Sequence, residues 1–506
     1  MTAAQPALPA NSVTSGETPP AALFAASLDA HTRRLPPEFY TVMNPERVGT
    51  APRLIHASAP AAALLDMTPT AFRHPAFASV FAGHHRIGNF EPLATVYSGH
   101  QFGTYVPRLG DGRALLIAEV RNRARELWGI QLKGAGHTPY SRSGDGRAVM
   151  RSSLREYLCS EHMAALGIPT TRALSVVATG ETVYRETPEP GAIVTRLAPS
   201  FVRFGHFEYF HHAGRPDLVR VLADHVIAEH FSGLARSEER FALWFREIVQ
   251  RTAHLLAAWQ AFGFAHGVMN TDNMSILGLT IDYGPFGFLD GFDPHFICNH
   301  SDHTGRYAFD QQPGIALWNL QALAVALSTL IETDTLKEAL SGFAAAFIER
   351  FTALMHRKLG FADFTPQTAD MAEELLQIMM HSASDYTLTF RLLSRAGTPE
   401  GREAWLALFS LGQRPEAAAW LERYGLAPLL PASDRRVSMD AINPKYVLRN
   451  WIAETVIRAV EDRHDLTVLE RVMRVLQTPF DEHPGDAEFA APPPEPLRHL
   501  SVSCSS

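Results

Sequence analysis

The chain has 506 residues, of which 46% are hydrophobic and 19% are charged, a composition typical of a large globular protein. Its 45 basic and 53 acidic side chains give a formal charge of −8, without the blocks of like charge that mark nucleic-acid or membrane surfaces. The sequence shows neither an apolar run long enough to cross a bilayer nor a secretory signal, so we expect a cytoplasmic protein without nucleic-acid or membrane partners.

The first part of the chain is predicted to be rich in strands. Residues 1–23 are dominated by small residues and proline and are predicted to form a disordered extension. Residues 114–120 and 127–133 are apolar runs joined by a charged turn, which predicts a hairpin with Lys133 opposite its apolar face. A helix over 147–166 and strands near 173–178 and 193–197 follow, so residues 24–205 are interpreted as a strand-rich lobe.

The rest of the chain is predicted to be helical. Apolar residues recur at helical spacing from Phe245 to Trp259, which predicts an amphipathic helix in a lobe spanning 206–365. Residues 366–482 are predicted to be further helices, including 371–381, 404–411 and 445–461, and residues 483–506 a Pro-rich linker and a tail containing Cys504. The pattern favours an α+β, two-lobed fold with additional C-terminal helices and a cleft between the lobes.

Two segments resemble the active-site loops of protein kinases. His266 precedes Asn273 by seven positions, as the histidine of the kinase catalytic loop precedes its metal-binding asparagine, and Asp282-Tyr283-Gly284 resembles the Asp-Phe-Gly element. An amide and a carboxylate oxygen are hard donors that suit Mg²⁺ shared with phosphates. Asn273 and Asp282 are therefore the candidate metal ligands.

The same loop departs from the kinase pattern at the position of the catalytic aspartate. That position holds Val268, which cannot accept a proton. Asp272 is the nearest carboxylate able to act as a base, although a purely structural role in capping a turn remains an alternative.

Upstream residues supply candidate phosphate contacts. Lys133, with Glu156 on the following helix, resembles the kinase pair of a phosphate-binding lysine and its glutamate, although Glu156 could also be a solvated residue. The remaining candidates lie in two glycine turns and beside a loop, where bare turns and ordinary surface arginines are the alternatives: Gly110, Gly112 and Arg113, then Asp145 and Gly146, then Arg196 and Arg203.

A group of histidines with one cysteine follows the Asp-Tyr-Gly element. His295, Cys298, His300, Asp302 and His303 are potential zinc ligands, but their spacing matches no paired-cysteine site. Polar loop residues are the favoured interpretation.

Several longer motifs together resemble the selenoprotein O family, known in bacteria as YdiU. The similarity runs from about Asn89 to the last residue, and the motifs that carry it are 132–136, 140–142, 145–147, 266–267, 272–273, 282–287, 297–302, 443–447 and 503–506. The family has a protein-kinase-like (pseudokinase) fold and is described as a protein adenylyltransferase. It holds ATP in an inverted position and transfers AMP to Ser, Thr or Tyr hydroxyls (AMPylation).

The resemblance assigns roles to the candidate residues. It implies that Asp272 is the proton acceptor, that Asn273 and Asp282 bind Mg²⁺ or Mn²⁺, and that Asp282 also contacts ATP. It implies that Lys133 contacts phosphate with Glu156 as its partner, and that the residues around the inverted nucleotide are Gly110, Gly112, Arg113, Asp145, Gly146, Arg196 and Arg203. The implied partners are proteins with acceptor hydroxyls.

The resemblance also points to a redox element. Cys504 occupies the place of the selenocysteine found in some members, and our hypothesis is that it forms a regulatory disulfide with Cys298. Two free thiols in a reducing cytosol are the alternative.

Two other functions remain open from the sequence, an atypical protein kinase and a non-catalytic nucleotide-binding scaffold. Val268 argues against the first, and the set of Asp272, Asn273 and Asp282 argues against the second.

Overall fold

The computed structural model describes residues 23, 26–363, 365–498, 500 and 502. Its strands are β1 (Ser27–Asp29), β2 (Tyr40–Val42), β3 (Arg53–Ala57), β4 (Leu93–Thr95), β5 (Gly99–Gln101), β6 (Thr104–Val106), β7 (Ala114–Arg121), β8 (Leu127–Lys133), β9 (Ala148–Val149), β10 (Arg172–Tyr184), β11 (Pro188–Ala198), β12 (Phe264–Ala265) and β13 (Gly287–Phe288). Its helices are α1 (Ala59–Ala63), α2 (Ala76–Phe81), α3 (Met150–Ala165), α4 (Phe204–His212), α5 (Pro216–His230), α6 (Arg240–Phe262), α7 (Gln312–Leu327), α8 (Thr333–Leu359), α9 (Pro366–Ser382), α10 (Tyr386–Leu393), α11 (Pro399–Leu406), α12 (Arg414–Gly425), α13 (Ala432–Asp440), α14 (Asn450–Arg463) and α15 (Thr467–Gln477).

One antiparallel sheet organises the N-terminal part. Its strand order is β2-β4-β7-β8-β11-β10-β3, with β1 paired to β7 and β9 to β11. The hairpin predicted over 114–133 is present as β7 and β8, and Lys133 at its end pairs with Ala114 on one side and Val194 on the other. Lys133 therefore lies at the end of a strand in the middle of the sheet.

Helix α3 packs against β10 and β11 and is buried along most of its length. It begins at Met150, three residues later than the predicted start, because Ala148 and Val149 pair with β11 as a short strand. It is followed by Gly167 at φ +75°, a left-handed conformation that ends the helix. This packing carries Glu156 toward the end of β8.

The part of the described chain after β11 is mainly helical, with the short strands β12 and β13 between α6 and α7, and the long helices α6 and α8 pack against each other. Some of the predicted helix ends in this part of the chain were wrong. The helix predicted over 404–411 is α11, which starts at Pro399 behind the capping Thr398 and ends at Leu406. The helix predicted over 445–461 starts only at Asn450, because Arg449 is extended, with ψ 152°, and its buried guanidinium pairs with Asp290 and Asp385.

The predicted α+β architecture is confirmed, with a sheet-containing N-terminal part followed by a helical part. The boundaries at 205, 365 and 482 and the kinase-like topology stay predictions. Apart from Leu23, the residues predicted to be disordered lie outside the described ones. None of the described helices has the length and apolarity needed to cross a bilayer.

The Pro-rich segment after residue 483 is not extended from its start. Pro484–Ala490 forms a 3-10 turn in which Phe489 is buried and Asp486 accepts hydrogen bonds from Arg471 and Arg474, so the expectation of a linker from Pro484 was wrong. The ion pairs hold this turn against α15.

A buried lysine, Lys358, lies near the end of α8 and is 2% exposed. Its ammonium is 4.4 Å from the ring centre of Phe390 and 5.3 Å from that of Phe262, and among the described residues it pairs with no carboxylate. Burial lowers the pKa of Lys358 from 10.5 to about 7.

We expect Lys358→Met to stabilise the protein at pH 7. Between pH 7 and 10.5 the unfolded chain binds a proton that the folded chain does not, so the cost of burying Lys358 is greatest at or below pH 7 and declines as the pH rises toward 10.5. Each pKa unit corresponds to about 1.4 kcal/mol. Thermal midpoints of the two proteins at pH 7 and pH 9.5 should therefore differ more at pH 7. The control is Lys337→Met on the same helix, whose side chain is 70% exposed; an equal difference at both pH values for Lys358→Met would contradict the prediction.

Candidate functional site

A cleft of about 640 Å³ lies between the sheet and the loops that follow α6, a volume suited to a small-molecule ligand. All the predicted nucleotide, base and metal residues line it: Gly110, Gly112, Arg113, Lys133, Asp145, Gly146, Arg196, Arg203, Asp272, Asn273 and Asp282. The structure thus gathers residues that are up to 172 positions apart in the chain, from Gly110 to Asp282.

Lys133 is held at the end of β8 by an ion pair with α3. Its Nζ lies 2.6 Å from Glu156 Oε2 and 3.9 Å from Asp282 Oδ1. Glu156 is 1% exposed and lies behind the cleft wall, so the alternative that it is solvated is wrong. Burial, reinforced by the charge of Arg196, lowers the pKa of Lys133 to about 8.

Two buried arginines connect Glu156 and Asp282. Arg196 on β11 donates to Glu156 Oε1 and to Asp282 Oδ1, each at 2.5 Å, so it is not a surface residue. Arg203 precedes α4, donates to the other oxygen of Asp282 and to the carbonyl of Asp272 at 2.7 Å, and its guanidinium lies 5.0 Å from the ring centre of Tyr97.

The charge balance of the cluster formed by Lys133, Arg196, Arg203, Glu156 and Asp282 favours binding of an anion. Burial alone would raise the pKa of Asp282, but the charges of Arg196, Arg203 and Lys133 hold it well below its usual value, so Asp282 is ionised. Three cations thus face two carboxylates, Glu156 and Asp282. Arg113 adds a fourth: its side chain is exposed in the cleft and forms no ion pair within the part of the chain that the structure describes.

Asp272 lies in the 3-10 turn Thr271–Asn273 and has an unsatisfied oxygen. Its Oδ1 is buried without a hydrogen-bond partner among the described residues, and its Oδ2 is 3.4 Å from Gln101 Nε2 on the β5–β6 hairpin. Burial raises the pKa of Asp272 to about 6. A carboxylate with this pKa is still mostly ionised at neutral pH and can accept a proton.

Gly99 on the same hairpin lies directly against Asp272. A Cβ atom at position 99 would be 2.3 Å from Asp272 Oδ1, so only glycine leaves room for the carboxylate. Thr271 beside it donates to the buried carboxylate of Glu208 and accepts from the amide of His100 at 2.7 Å. The hairpin therefore fixes the position of Asp272, a role that the sequence analysis missed because no motif marks Gly99 or Gln101.

The loop from His266 to Asn273 is connected to the segment that carries Asp282. The ring of His266 is within hydrogen-bond distance of the carbonyl of Ile281, at 2.9 Å, and of the Val268 amide. Asn273 donates through Nδ2 to the carbonyl of Val268 at 3.0 Å, which leaves its Oδ1 for another partner. Val268 itself lines the cleft where the kinase pattern has a carboxylate.

The two predicted glycine turns both line the cleft. At the first turn, a Cβ at Gly112 would be 2.8 Å from the carbonyl oxygen of Tyr140, and Asp111 accepts hydrogen bonds from the backbone and hydroxyl of Thr95. At the second turn, Asp145 pairs with Arg185 through both oxygens, at 2.7 and 3.0 Å. Arg185 was not predicted, because the tip of a hairpin carries no periodic signal.

Gly146 lies in the turn that the sequence predicts to contact ATP, and there is no room for a side chain at this position. On that prediction we expect Gly146→Ala to weaken ATP binding at least about tenfold, or about 1.4 kcal/mol. Its φ is +71°, and a Cβ there would lie 2.0 Å from the carbonyl oxygen of Gly136, so the turn must move. Titration calorimetry with ATP measures the effect. Gly485→Ala, where a Cβ has open space, is the control; unchanged ATP affinity in Gly146→Ala would be inconsistent with a role for this turn.

Asp302, one of the potential zinc ligands, bonds to backbone amides of its own loop. Asp302 accepts hydrogen bonds from the amides of Arg306 and Tyr307, at 3.0 and 2.7 Å. Within the described ranges, no group of three or more His, Cys, Asp or Glu residues is arranged to hold a metal ion.

Cys298 is buried, with Sγ 3.5 Å from the carbonyl oxygen of Ala265. The proposed partner, Cys504, lies outside the described residues. The tail does reach this region, because the His300 amide donates to the carbonyl of Val502 at 2.8 Å.

Comparison with known proteins gives matches over most of the chain. The family model described as protein adenylyltransferase SelO matches residues 23–477. The protein nucleotidyltransferase YdiU of Myxococcus xanthus is 49% identical over 477 residues, covering 94% of this chain and 97% of that relative. The proteins of the same name from Pseudomonas fluorescens and Thiobacillus denitrificans are 47% and 48% identical, each over 96% of this chain and 100% of the relative.

Proposed function

This chain belongs to the SelO family and is a nucleotidyltransferase, and we propose that it transfers AMP from ATP to Ser, Thr or Tyr hydroxyls of protein substrates. The observation that carries the proposal is the position of Asp272: a buried carboxylate with an unsatisfied oxygen shares one cleft with Lys133, Arg196 and Arg203. A base and an anion site lie together where an acceptor hydroxyl and a nucleotide would meet.

The cations of the cleft support the proposal that it binds a triphosphate. Lys133, Arg196 and Arg203 supply charge from the inner wall, and Arg113 supplies it from the exposed side. Arginine forks bind phosphate oxygens in pairs, which fixes orientation as well as charge. An inward triphosphate corresponds to the inverted ATP of the family and to a kinase-like fold, both of which we include in the proposal.

Asp272 is the proton acceptor in the proposed reaction. The acceptor hydroxyl oxygen forms a bond to the α-phosphorus, the bond from that phosphorus to the β-phosphate oxygen breaks, and pyrophosphate leaves. The hydroxyl proton moves to the carboxylate of Asp272, which lines the cleft. General-base catalysis of this kind contributes roughly 10²- to 10⁴-fold.

Asn273 and Asp282 fit a divalent cation. The Asn273 amide is oriented by its bond to Val268, so that Oδ1 is the atom left to coordinate, and Asp282 is an ionised carboxylate. Both are hard oxygen donors of the kind that Mg²⁺ and Mn²⁺ prefer, with phosphate and water completing the shell. When bound, the ion neutralises charge on the phosphate oxygens.

We also propose that Cys298 and Cys504 form a disulfide that restrains activity. Val502 is bonded to His300 and lies two residues before Cys504, a span of at most about 7 Å of extended chain. Activity measured with and without a dithiol reductant tests the proposal. Equal activity in both conditions, in the natural chain and in Cys504→Ala, would rule out the switch.

ATP labelled on either the α or the γ phosphate distinguishes the candidate functions. We expect protein to take up the α label, with intact mass rising by one AMP for each acceptor modified. Uptake of the γ label alone would indicate a kinase and refute the proposal, and no uptake of either label with ATP bound would indicate a scaffold.

A further inference from the structure

Among the described residues that line the cleft, one aromatic ring is exposed. Four tyrosines line it, and Tyr97, Tyr140 and Tyr283 are at most 8% exposed. Tyr97 packs against Arg203, and the hydroxyls of Tyr140 and Tyr283 bond to Thr41 and Thr170. The fourth, Tyr184, is 76% exposed.

Strand register places Tyr184 on the same face of the sheet as Lys133. Tyr184 pairs with Pro188 of β11, and Lys133 pairs with Val194 of the same strand. Residues at even spacing on one strand share a face, and directly paired residues do so across strands. The irregularity between Ala178 and Thr182 lies on β10 and leaves the alternation from Pro188 to Val194 intact. Tyr184 therefore lies on the same cleft-lining face of the sheet as Lys133 and Arg196.

The backbone beneath Tyr184 is fixed. Arg185 donates to Asp145, to the carbonyl of Arg147 at 3.1 Å and to the carbonyl of Tyr184 itself at 3.0 Å. These bonds hold the tip of the β10–β11 hairpin to the second glycine turn. The ring of Tyr184 is exposed, but the backbone that carries it is held by these hydrogen bonds.

We infer that Tyr184 stacks against the nucleobase of ATP. The inference rests on the proposed function, in which Lys133, Arg196 and Arg203 bind the triphosphate. The base then lies toward the opposite end of the cleft. A purine needs a flat, partly apolar face there, and Tyr184 is the lining residue that offers one. Every nucleobase has a π-face, so Tyr184 contributes affinity without reading base identity.

The test is binding to the full chain by titration calorimetry, with ATP, GTP and inorganic tripolyphosphate as probes. A tenfold change in Kd corresponds to about 1.4 kcal/mol, which lies within the range for stacking on one base. In Tyr184→Ala we expect the Kd for ATP and for GTP to rise about tenfold or more, with the Kd for tripolyphosphate unchanged. Tyr184→Phe and Tyr184→Trp keep an aromatic face and should bind ATP like the natural chain.

Thr182→Ala is the matched control, because Thr182 is exposed on the same strand and face but does not line the cleft. Unchanged ATP affinity in Tyr184→Ala would overturn the inference, even if the KM for an acceptor protein rose, since the ring would then contact the acceptor. An equal rise in the Kd for ATP and for tripolyphosphate would also overturn it, because the substitution would then have damaged the anion site. ATP binding can be measured without AMP transfer, so the two proposals can fail separately. If the natural chain takes up no α label but its ATP affinity still depends on Tyr184, the proposed function is refuted and the inference about Tyr184 stands.

Discussion

Replacement of Asp272 by Asn is expected to lower AMP transfer by about 10²- to 10⁴-fold while ATP binding is kept. The amide has nearly the same shape as the carboxylate but cannot accept the hydroxyl proton. Its polar atoms still fit beside Gly99 and Gln101, so the cleft should keep its geometry. Initial rates of α-label incorporation, with ATP affinity by calorimetry, measure the two effects separately.

Gln101→Leu provides a graded comparison for this prediction. It removes the hydrogen-bond donor to Asp272 Oδ2 and leaves the carboxylate in place, so its loss of rate should be smaller than that of Asp272→Asn. Transfer by Asp272→Asn at close to the natural rate would show that the residue serves only the turn, the alternative that the sequence left open.

Replacement of Asp282 by Asn is expected to abolish metal-dependent transfer, with a fall of at least about 10³-fold, while metal-free ATP binds at least as tightly as before. Asp282 neutralises Arg196 and Arg203, so removal of its charge leaves more positive charge for the triphosphate. Asn keeps the backbone conformation, because Asp282 has φ +57° and Asn is one of the few residues that tolerate this region. The measurements are α-label incorporation over a range of Mg²⁺ and Mn²⁺ concentrations, and ATP binding with a chelator present.

Asp66→Asn is the matched control for Asp282→Asn. Asp66 also has a positive φ, of 55°, and its carboxylate accepts from the amide of Arg123, away from the residues that line the cleft. It should transfer AMP normally. Metal-dependent transfer that survives in Asp282→Asn would contradict the assignment of Asp282 as a metal ligand.

The sequence determined the parts of the site that depend on neighbours in the chain. The alternation of apolar residues in β8 predicted that Lys133 lies opposite the apolar face, and the seven-residue interval from His266 to Asn273 pointed to the candidate catalytic loop. Both signals could be read because each lies within one element or turn. Val268 stands at the position where the kinase pattern has its catalytic aspartate. The sheet-then-helix order followed from periodicity alone.

Contacts between residues far apart in the chain became visible only in the folded structure. Arg196 and Arg203 lie 86 and 79 residues before Asp282 and pair with it, and Gln101 reaches Asp272 across 171 residues. Such contacts follow from how the sheet and helices pack, which leaves no spacing to read in the sequence. The same is true of Arg185, which reaches Asp145 from a hairpin tip and sets the support for Tyr184. Local patterns thus identified the candidate chemical groups, and packing determined the balance of charge and the exposed ring on which the proposed nucleotide binding depends.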